Sequence, residues 1–158
     1  MILVAGSTIN VFDKKENNRD VSVKEILNND EVVSVLTMYS KVTFEPYKNM
    51  ETMFNYIPYI SVFEKTFTEN AIKLSFKNNY DEIEKSITLT PDHKVYTLNK
   101  GYVSVDNLGM MDVLVDTLGH ICSIINKETI LIKDGEFFNM NLKFGNNIIV
   151  NDLIVTPK

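Results

Sequence analysis

Residues 90–108, TPDHKVYTLNKGYVSVDNL, carry the most specific local pattern in the chain. Pro91 fixes φ and removes an N–H, and Asp92 favours a turn, so Thr90 to His93 form a sharp corner after a strand. This spacing aims the Thr90 hydroxyl and the His93 imidazole at one point. Converging on a peptide bond, these groups can polarise its carbonyl and protonate the leaving amine, a general-acid role that suits histidine near neutral pH. A structural histidine is the alternative, because such a motif needs its context.

The sequence around this corner alternates apolar and polar residues, as half-buried β-strands do. Turn residues separate the segments, for example at 99–101 and 134–135. We therefore predict an all-β protein of about a dozen strands. The predicted strands cover residues 2–12, 31–39, 41–47, 59–68, 71–77, 84–90, 94–98, 102–105, 112–117, 120–126, 129–133, 136–144 and 148–155. One helix is predicted at 23–28, whereas 50–56 fits either a helical face or a covering loop.

The composition is that of a folded, acidic domain. Of the 158 residues, 44% are apolar and 23% are charged, which excludes disordered and fibrous classes. With 21 acidic against 16 basic residues the net charge is −5, whereas a non-specific nucleic-acid binder carries a basic surplus. No apolar run approaches the roughly 20 residues of a membrane span. We therefore predict a protein that binds neither nucleic acid nor membrane.

The cysteine content and the amino terminus bear on location. Cys122 is the single cysteine of the chain, so no internal disulfide can form. The first ten residues lack the basic flank of a signal peptide. Both features predict a cytoplasmic protein.

Three segments together resemble inteins and the wider Hint (hedgehog-intein) family. Residues 90–108 resemble the family's B block, a Thr-x-x-His turn followed by a hydrophobic strand, Gly-Tyr and an Asp-x-Leu ending. LVAGSTINV at 3–11, with VSVKEIL at 21–27, resembles the amino-terminal splicing block. NMNLKFGNNIIVNDLIV at 139–155 resembles the carboxy-terminal block. The blocks follow the family's order and span nearly the whole chain.

The resemblance implies a Hint fold, which is a β-rich horseshoe with one or two short helices and pseudo-twofold halves. In this fold both chain ends meet near the Thr-x-x-His turn. Residues 1–158 are expected to form a single domain. Only about 30 residues separate Leu108 from the last block, too few for a homing endonuclease, so the chain resembles the minimal, endonuclease-free type.

The family's first catalytic residue is missing. An intein begins with Cys or Ser, whose side chain attacks the preceding carbonyl. Aligning VAGST with the family places Leu3, or Ile2, at that position, and neither carries a nucleophile. The nearest hydroxyls belong to Ser7 and Thr8, at positions that the family uses to build a turn.

The groups at the carboxy-terminal splice site are missing as well. The family closes its last block with His-Asn, and cyclisation of that Asn cuts the backbone; here the two positions hold Thr156 and Pro157. The inner His of the block is replaced by Asn146, with Asn147 next to it, and the block's Asp by Asn141. The resemblance thus implies a degenerate scaffold that keeps only the catalytic pair of the B block.

Two other patterns have simpler explanations. His120 and Cys122 are residue types that bind zinc, but two ligands do not make a site. A strand that presents residues i and i+2 on one face explains their spacing equally well. The aromatic residues between 39 and 67 fit core packing of a β-layer or a recognition patch.

The favoured hypothesis is a free-standing, non-splicing Hint domain that acts as a structural or protein-interaction module, of phage or mobile-element origin. It needs no cofactor and no metal, but it implies a protein partner. The alternative is an active splicing or self-cleaving mini-intein with an atypical nucleophile or inactivated termini. A third hypothesis, an unrelated β-barrel binding module, predicts chain ends far from His93.

Overall fold

The computed structural model describes residues 2–4, 6–27, 32–38, 54–65, 68–133, 137–142 and 147–156. Within these ranges the chain forms fourteen strands, one α-helix and a 3₁₀ turn, so the predicted all-β class is confirmed. The helix is α1 (Val23–Leu27) and the 3₁₀ turn is Val105–Asn107. The strands are β1 (Ile2–Val4), β2 (Thr8–Asp13), β3 (Asn18–Ser22), β4 (Val32–Met38), β5 (Phe54–Lys65), β6 (Glu69–Asn78), β7 (Glu84–Leu89), β8 (Lys94–Thr97), β9 (Gly101–Ser104), β10 (Val113–Val115), β11 (Ile121–Ile132), β12 (Phe137–Leu142), β13 (Ile148–Val150) and β14 (Leu153–Thr156).

Antiparallel pairing joins these strands into one continuous path. The order along the path is β1-β12-β5-β4-β2-β13-β14-β8-β10-β11-β6-β7, and the short strands β3 and β9 pair with β2 and β8. β1, at one end of the path, packs beside β7 at the other. The sheet therefore curves around its core and brings its two ends together.

The burial of the strands follows their sequence pattern. β2 alternates exposed and buried residues, as a strand with one solvated face does. β13 and β14 are buried on both faces because they lie in the middle of the strand order, and their residues form continuous apolar runs. Phe138 and Met140 of β12 are fully buried in the main core, and burial of each such side chain contributes about 1.5–3 kcal/mol.

The hairpin β13–β14 turns on two residues with positive φ. Asn151 has a φ of 47° and Asp152 a φ of 67°, and Val150 pairs directly with Leu153 across the turn. This is the conformation of a type I′ turn, whose twist matches that of the strands and which Asn and Asp tolerate better than most residues. The predicted single strand over residues 148–155 is therefore wrong, because the turn divides it.

A second predicted strand, over residues 2–12, is also divided. Gly6 has a φ of 86°, and the N–H of Ser7 donates to the carbonyl of Val4 at 3.1 Å. Glycine is the residue that reaches this backbone region without steric cost. Before this turn β1 pairs with β12, and after it β2 pairs with β13, so the amino-terminal segment contributes to two parts of the sheet.

Elsewhere the structure joins segments that were predicted as separate strands, or forms a strand where none was predicted. The predicted strands 120–126 and 129–133 form one long strand, β11, which pairs with β6 through a bulge between Ile124 and Asn126. β3 was not predicted as a strand, and β5 begins at Phe54, inside the segment for which a helix or a covering loop was expected. The helix prediction at 23–28 is confirmed over 23–27. The predicted strand 41–47 and residues 50–53 lie outside the described residues.

Candidate functional site

The corner at Thr90–His93 follows β7 directly. The N–H of His93 donates to the carbonyl of Thr90 at 3.1 Å and closes a four-residue turn with Pro91 in its second position. Thr90 Oγ1 donates to Asp92 Oδ1 at 3.1 Å and lies 2.5 Å from His93 Nδ1. When the hydroxyl proton is directed to Asp92, His93 Nδ1 donates to Thr90, and Nε2 is the basic nitrogen of the neutral ring. The structure thus brings the two side chains together, and both are buried.

The 3₁₀ turn holds this corner from one side. The N–H of Val105 donates to the carbonyl of His93 at 2.8 Å, and that of Asp106 donates to the carbonyl of Pro91 at 3.3 Å. Two backbone hydrogen bonds therefore connect the end of the B block to its beginning. The pair Thr90–His93 is fixed by its own turn and by the segment that follows β9.

Lys127 of β11 holds the 3₁₀ turn in its place. Its ammonium donates to the carbonyls of Asp106 at 2.7 Å and Leu108 at 2.9 Å, with Val105 at 3.4 Å. A cation beside several carbonyl oxygens makes hydrogen bonds about twice as strong as those between neutral groups. The conformation of the corner thus depends on a residue that is distant in sequence.

Thr156, which the sequence resemblance aligns with a penultimate His, lies next to the corner. β14 pairs with β8, and Thr156 stands opposite Lys94, the residue that follows His93. Neighbouring strands are about 4.8 Å apart, so the end of β14 is adjacent to the candidate site. The hypothesis of an unrelated β-barrel module predicts chain ends far from His93, and the described end of β14 does not agree with it. Pro157 lies outside the described residues.

The inner positions of the carboxy-terminal block are only partly described. Asn141 is half-buried in β12, where it pairs with Ser61 of β5. Asn147 is buried immediately before β13. Asn146 lies outside the described residues.

At the amino-terminal block, Leu3 lies in the interior of the domain. It pairs with Phe138 of β12, is fully buried and belongs to the main core. The hydroxyls of the block have structural partners or are buried: the N–H and Oγ1 of Thr8 both donate to Asn151 Oδ1, at 2.6 and 2.9 Å, and Ser7 is buried in the Gly6 turn. This geometry supports the interpretation that these two residues build a turn.

A second polar cluster, which the sequence did not reveal, surrounds His120. Asn78 Nδ2 donates to Asp116 Oδ2 at 2.7 Å and to His120 Nδ1 at 2.9 Å. The carbonyl oxygen of the same amide accepts the N–H of Tyr80 at 2.7 Å, so the orientation of the amide is fixed. Because the amide nitrogen can only donate, His120 Nδ1 is the acceptor and the ring proton resides on Nε2.

This cluster is remote from the corner. Asn78 ends β6 beside the β6–β7 turn, whereas Thr90 follows the opposite end of β7. The length of β7 separates them by roughly 20 Å at about 3.3 Å per residue. His120 and His93 are therefore not parts of one site.

Cys122 does not complete a reactive or metal-binding pair with His120. Its thiol lies 3.6 Å from the carbonyl oxygen of His120, and burial, reinforced by the charge of Asp116, raises the pKa of this thiol to about 12. A thiol in this state is a poor nucleophile. Within the described ranges, His, Cys, Asp and Glu side chains nowhere form a group of three that could hold a metal ion.

The loop after the B block is braced by Asp112. Its buried carboxylate accepts the N–H of Gly109 at 2.8 Å and the amide of Asn99 at 3.2 Å, and it pairs with Lys100 Nζ at 2.9 Å. These donors lower the pKa of Asp112 from 3.8 to about 2, the Gly109 N–H having the largest effect.

The described part of the chain contains no helix with the length and hydrophobicity of a membrane span.

The substitution Asp112→Asn is expected to lower the free energy of unfolding by about 1.5 kcal/mol at neutral pH, because a charge-assisted hydrogen-bond acceptor is lost. Since folding lowers the pKa of this carboxyl, its contribution is complete above pH 4 and disappears as the pH falls towards 2. Urea unfolding of both proteins at several pH values measures this. The exposed control Asp81→Asn should match the parent throughout, and a difference for Asp112→Asn that persists at pH 2 would contradict the assignment.

Comparison with known proteins identifies the fold. Neither a protein-family model nor a curated protein matches the sequence. A bacterial intein-like domain from Clostridium thermocellum is similar in structure, with 19% identity and a TM-score of 0.69 over 98% of this chain and 97% of that one. A DnaB intein from Synechocystis gives 19% identity and a TM-score of 0.66 over 100% and 99% of the two chains. For an intein from a hyperthermophile the values are 20% and 0.68, over 100% of both chains. The protein therefore has the all-β Hint fold of the inteins.

Proposed function

We propose that this protein is an intein-like domain that does not splice and that serves as a structural or protein-interaction module. The observation that carries the proposal is Leu3, a fully buried hydrocarbon at the position where the resemblance places the nucleophile. The first step of splicing needs a side chain that attacks the preceding carbonyl. A leucine in the core has no group that can do so.

The carboxy-terminal position supports the same proposal. Thr156 stands where the family has its penultimate His, one strand away from Lys94. A hydroxyl does not exchange protons near neutral pH as an imidazole does, so it is a poor general acid or base there. Pro157, next in sequence, has no side-chain amide that could cyclise.

The corner at Thr90–His93 supports descent from a splicing scaffold. Its 2.5 Å contact between Oγ1 and Nδ1 is buried and is braced by the 3₁₀ turn. In a domain that does not splice, the same contacts still hold β7, β8 and β9 together. This corner also favours the second candidate function, self-cleavage with an unusual nucleophile, because a general acid is already in position.

A fusion of the complete chain between two reporter domains separates the two candidates. We expect the full-length fusion to persist during long incubation with a thiol, as judged by denaturing gels and intact mass. The parallel variant His93→Ala should behave identically. Spliced or cleaved product from the parent that is absent from His93→Ala would contradict the proposal and support self-cleavage.

The substitution Leu3→Cys in this fusion tests whether the corner is still competent. The new thiolate would attack the carbonyl of Ile2, forming a thioester while the amide nitrogen of residue 3 takes a proton; an added thiol then releases the upstream reporter. We expect thiol-dependent release at this bond. When His93→Ala is added, release should be at least about 100-fold slower, because general acid catalysis contributes at least about this factor.

The matched control for this experiment is Leu3→Ala. It creates a similar or larger cavity, which costs about 2–5 kcal/mol, but supplies no thiol. It should therefore show no release. A folded Leu3→Cys fusion that is inert would contradict the derivation of the corner from a splicing site.

A further inference from the structure

Three large apolar side chains are exposed on the two turns that adjoin the His120 cluster, which are the β6–β7 turn and the turn that begins at Asp116. Tyr80 is 80% exposed, Leu118 68% and Ile83 55%. The ring of Tyr80 stacks on that of His120, two residues beyond Leu118, and Ile83 belongs to the same β6–β7 turn as Tyr80. Clustered apolar groups on a surface mark contact sites more often than single ones do.

The exposed tyrosine is held in one position. Its ring lies 4.8 Å from that of His120 with an interplanar angle of 5°. Asn78, buried beneath, accepts the N–H of Tyr80 at 2.7 Å and donates to His120 and Asp116. A pre-positioned aromatic side chain loses little conformational entropy when a partner covers it, as binding hot spots do.

The same turn carries a concentration of negative charge. Asp81, Glu82 and Glu84 are exposed; Glu84 stands opposite Lys77 across the ladder to β6, and the charge of Asp81 acts on Lys85 of β7. The next cation along β7, Lys85, pairs with Asp152 at 2.6 Å. The rim of the apolar group is therefore acidic, and nucleic acid is excluded as an occupant by its charge.

Glu82, in the same turn, has an unusual backbone conformation. Its φ of 59° lies in the left-handed region, which non-glycine residues seldom adopt, and its N–H donates to the carbonyl of Asn78 at 2.8 Å. Unfavourable backbone conformations are concentrated at sites of function. The turn that carries Tyr80 and these acidic residues therefore contains a residue held at some cost in backbone energy.

We propose that Tyr80, Ile83 and Leu118, with the carboxylates of residues 81, 82 and 84, form a docking surface for a basic segment of a protein partner. This Tyr80 surface deepens the proposed function, on which it rests. The outer face of the Tyr80 ring receives an arginine or lysine through a cation–π contact. The acidic rim pairs with further cations, while aliphatic side chains of the segment cover Leu118 and Ile83.

The test uses a fluorescein-labelled peptide of alternating arginine and leucine and a matched peptide with glutamate in place of arginine. Fluorescence anisotropy with the full chain should show saturable, salt-sensitive binding of the arginine peptide only. Tyr80→Ala should weaken binding by about threefold, the effect of an exposed cation–π contact. Tyr80→Phe, which keeps the ring, should retain the parent affinity.

Two further variants complete the experiment. The double substitution Glu82→Gln and Glu84→Gln should weaken binding and reduce its dependence on salt. Met111→Ala is the matched control, because Met111 is 90% exposed but lies on a different turn; it should leave binding unchanged. Circular dichroism confirms that each variant is folded.

Several outcomes would overturn the proposal. The parent protein could show no saturable binding of the arginine peptide, the two peptides could bind equally well, or Tyr80→Ala could bind the arginine peptide as tightly as the parent does; each of these results contradicts it. Sedimentation that reveals a dimer dissociated by Tyr80→Ala would assign the surface to a second copy of the chain instead. Processing in the reporter fusion is a separate readout, so failure of the peptide to bind leaves the proposed lack of splicing intact.

Discussion

Replacing Lys127 with methionine is expected to lower the free energy of unfolding by about 2–3 kcal/mol and to disturb the corner at Thr90–His93. The ammonium is the common donor to the carbonyls of Asp106 and Leu108, and its loss leaves these acceptors without the cation. Hydrogen bonds to charged groups contribute about 1.5–3 kcal/mol each and are not additive. Urea unfolding measures the stability, and the imidazole signals of His93 in proton–nitrogen spectra report on the corner.

Two variants serve as controls for this prediction. Lys127→Arg keeps the charge and several donors, so it should recover part of the lost stability. Lys133 is exposed and directly follows β11, so Lys133→Met should change neither the free energy of unfolding nor the His93 signals. Parent stability together with unchanged His93 signals in Lys127→Met would show that the 3₁₀ turn is held without this residue.

Replacing Asn78 with alanine is expected to lower the free energy of unfolding by about 3 kcal/mol. One buried amide satisfies the N–H of Tyr80, the carboxylate of Asp116 and the ring of His120, and its removal leaves all three without this partner. Breaking the contacts of a buried charge costs several times more than losing a neutral surface contact. Chemical denaturation at neutral pH provides the measurement.

The adjacent asparagine provides the matched control. Asn79 is exposed and accepts a hydrogen bond from Ser123, so Asn79→Ala should change the stability by less than about 1 kcal/mol. Asn78→Asp would place a second carboxylate against Asp116 and should destabilise at least as strongly as Asn78→Ala. Equal stability of Asn78→Ala and Asn79→Ala would contradict the role assigned to this cluster. Asn78→Ala should also weaken binding of the arginine peptide, because the amide that holds Tyr80 and His120 in position is lost.

The corner at Thr90–His93 could be predicted because all of its information is local. Proline and aspartate between the two functional residues determine the turn, and the 3.1 Å hydrogen bond that closes it joins residues three apart. The all-β class was predictable for a similar reason, since alternation of apolar and polar residues along a segment reflects the geometry of that segment alone. The resemblance between three ordered blocks and the inteins then correctly indicated the Hint fold.

The His120 cluster and the role of Lys127 were not predictable in this way. Asn78 meets Asp116 and His120 only because β6 pairs with β11, and no local spacing reveals that register. Lys127 reads as an ordinary charged residue of a strand until the 3₁₀ turn is known to lie beside it. The division of residues 148–155 had a signal in Asn151-Asp152, but the apolar runs on both sides resembled one buried strand.

The pairing of β1 with β12 has a consequence for biosynthesis. Leu3 meets Phe138, a residue that the ribosome adds 135 positions later. At 5–20 residues per second, the nascent amino-terminal strand waits roughly 7 to 27 s before its partner exists. Joining such distant segments also slows folding after synthesis is complete. The side chain of Leu3 therefore stays without its cross-strand partner until residue 138 has been added, so the amino-terminal strand is among the last parts of the sheet that can form.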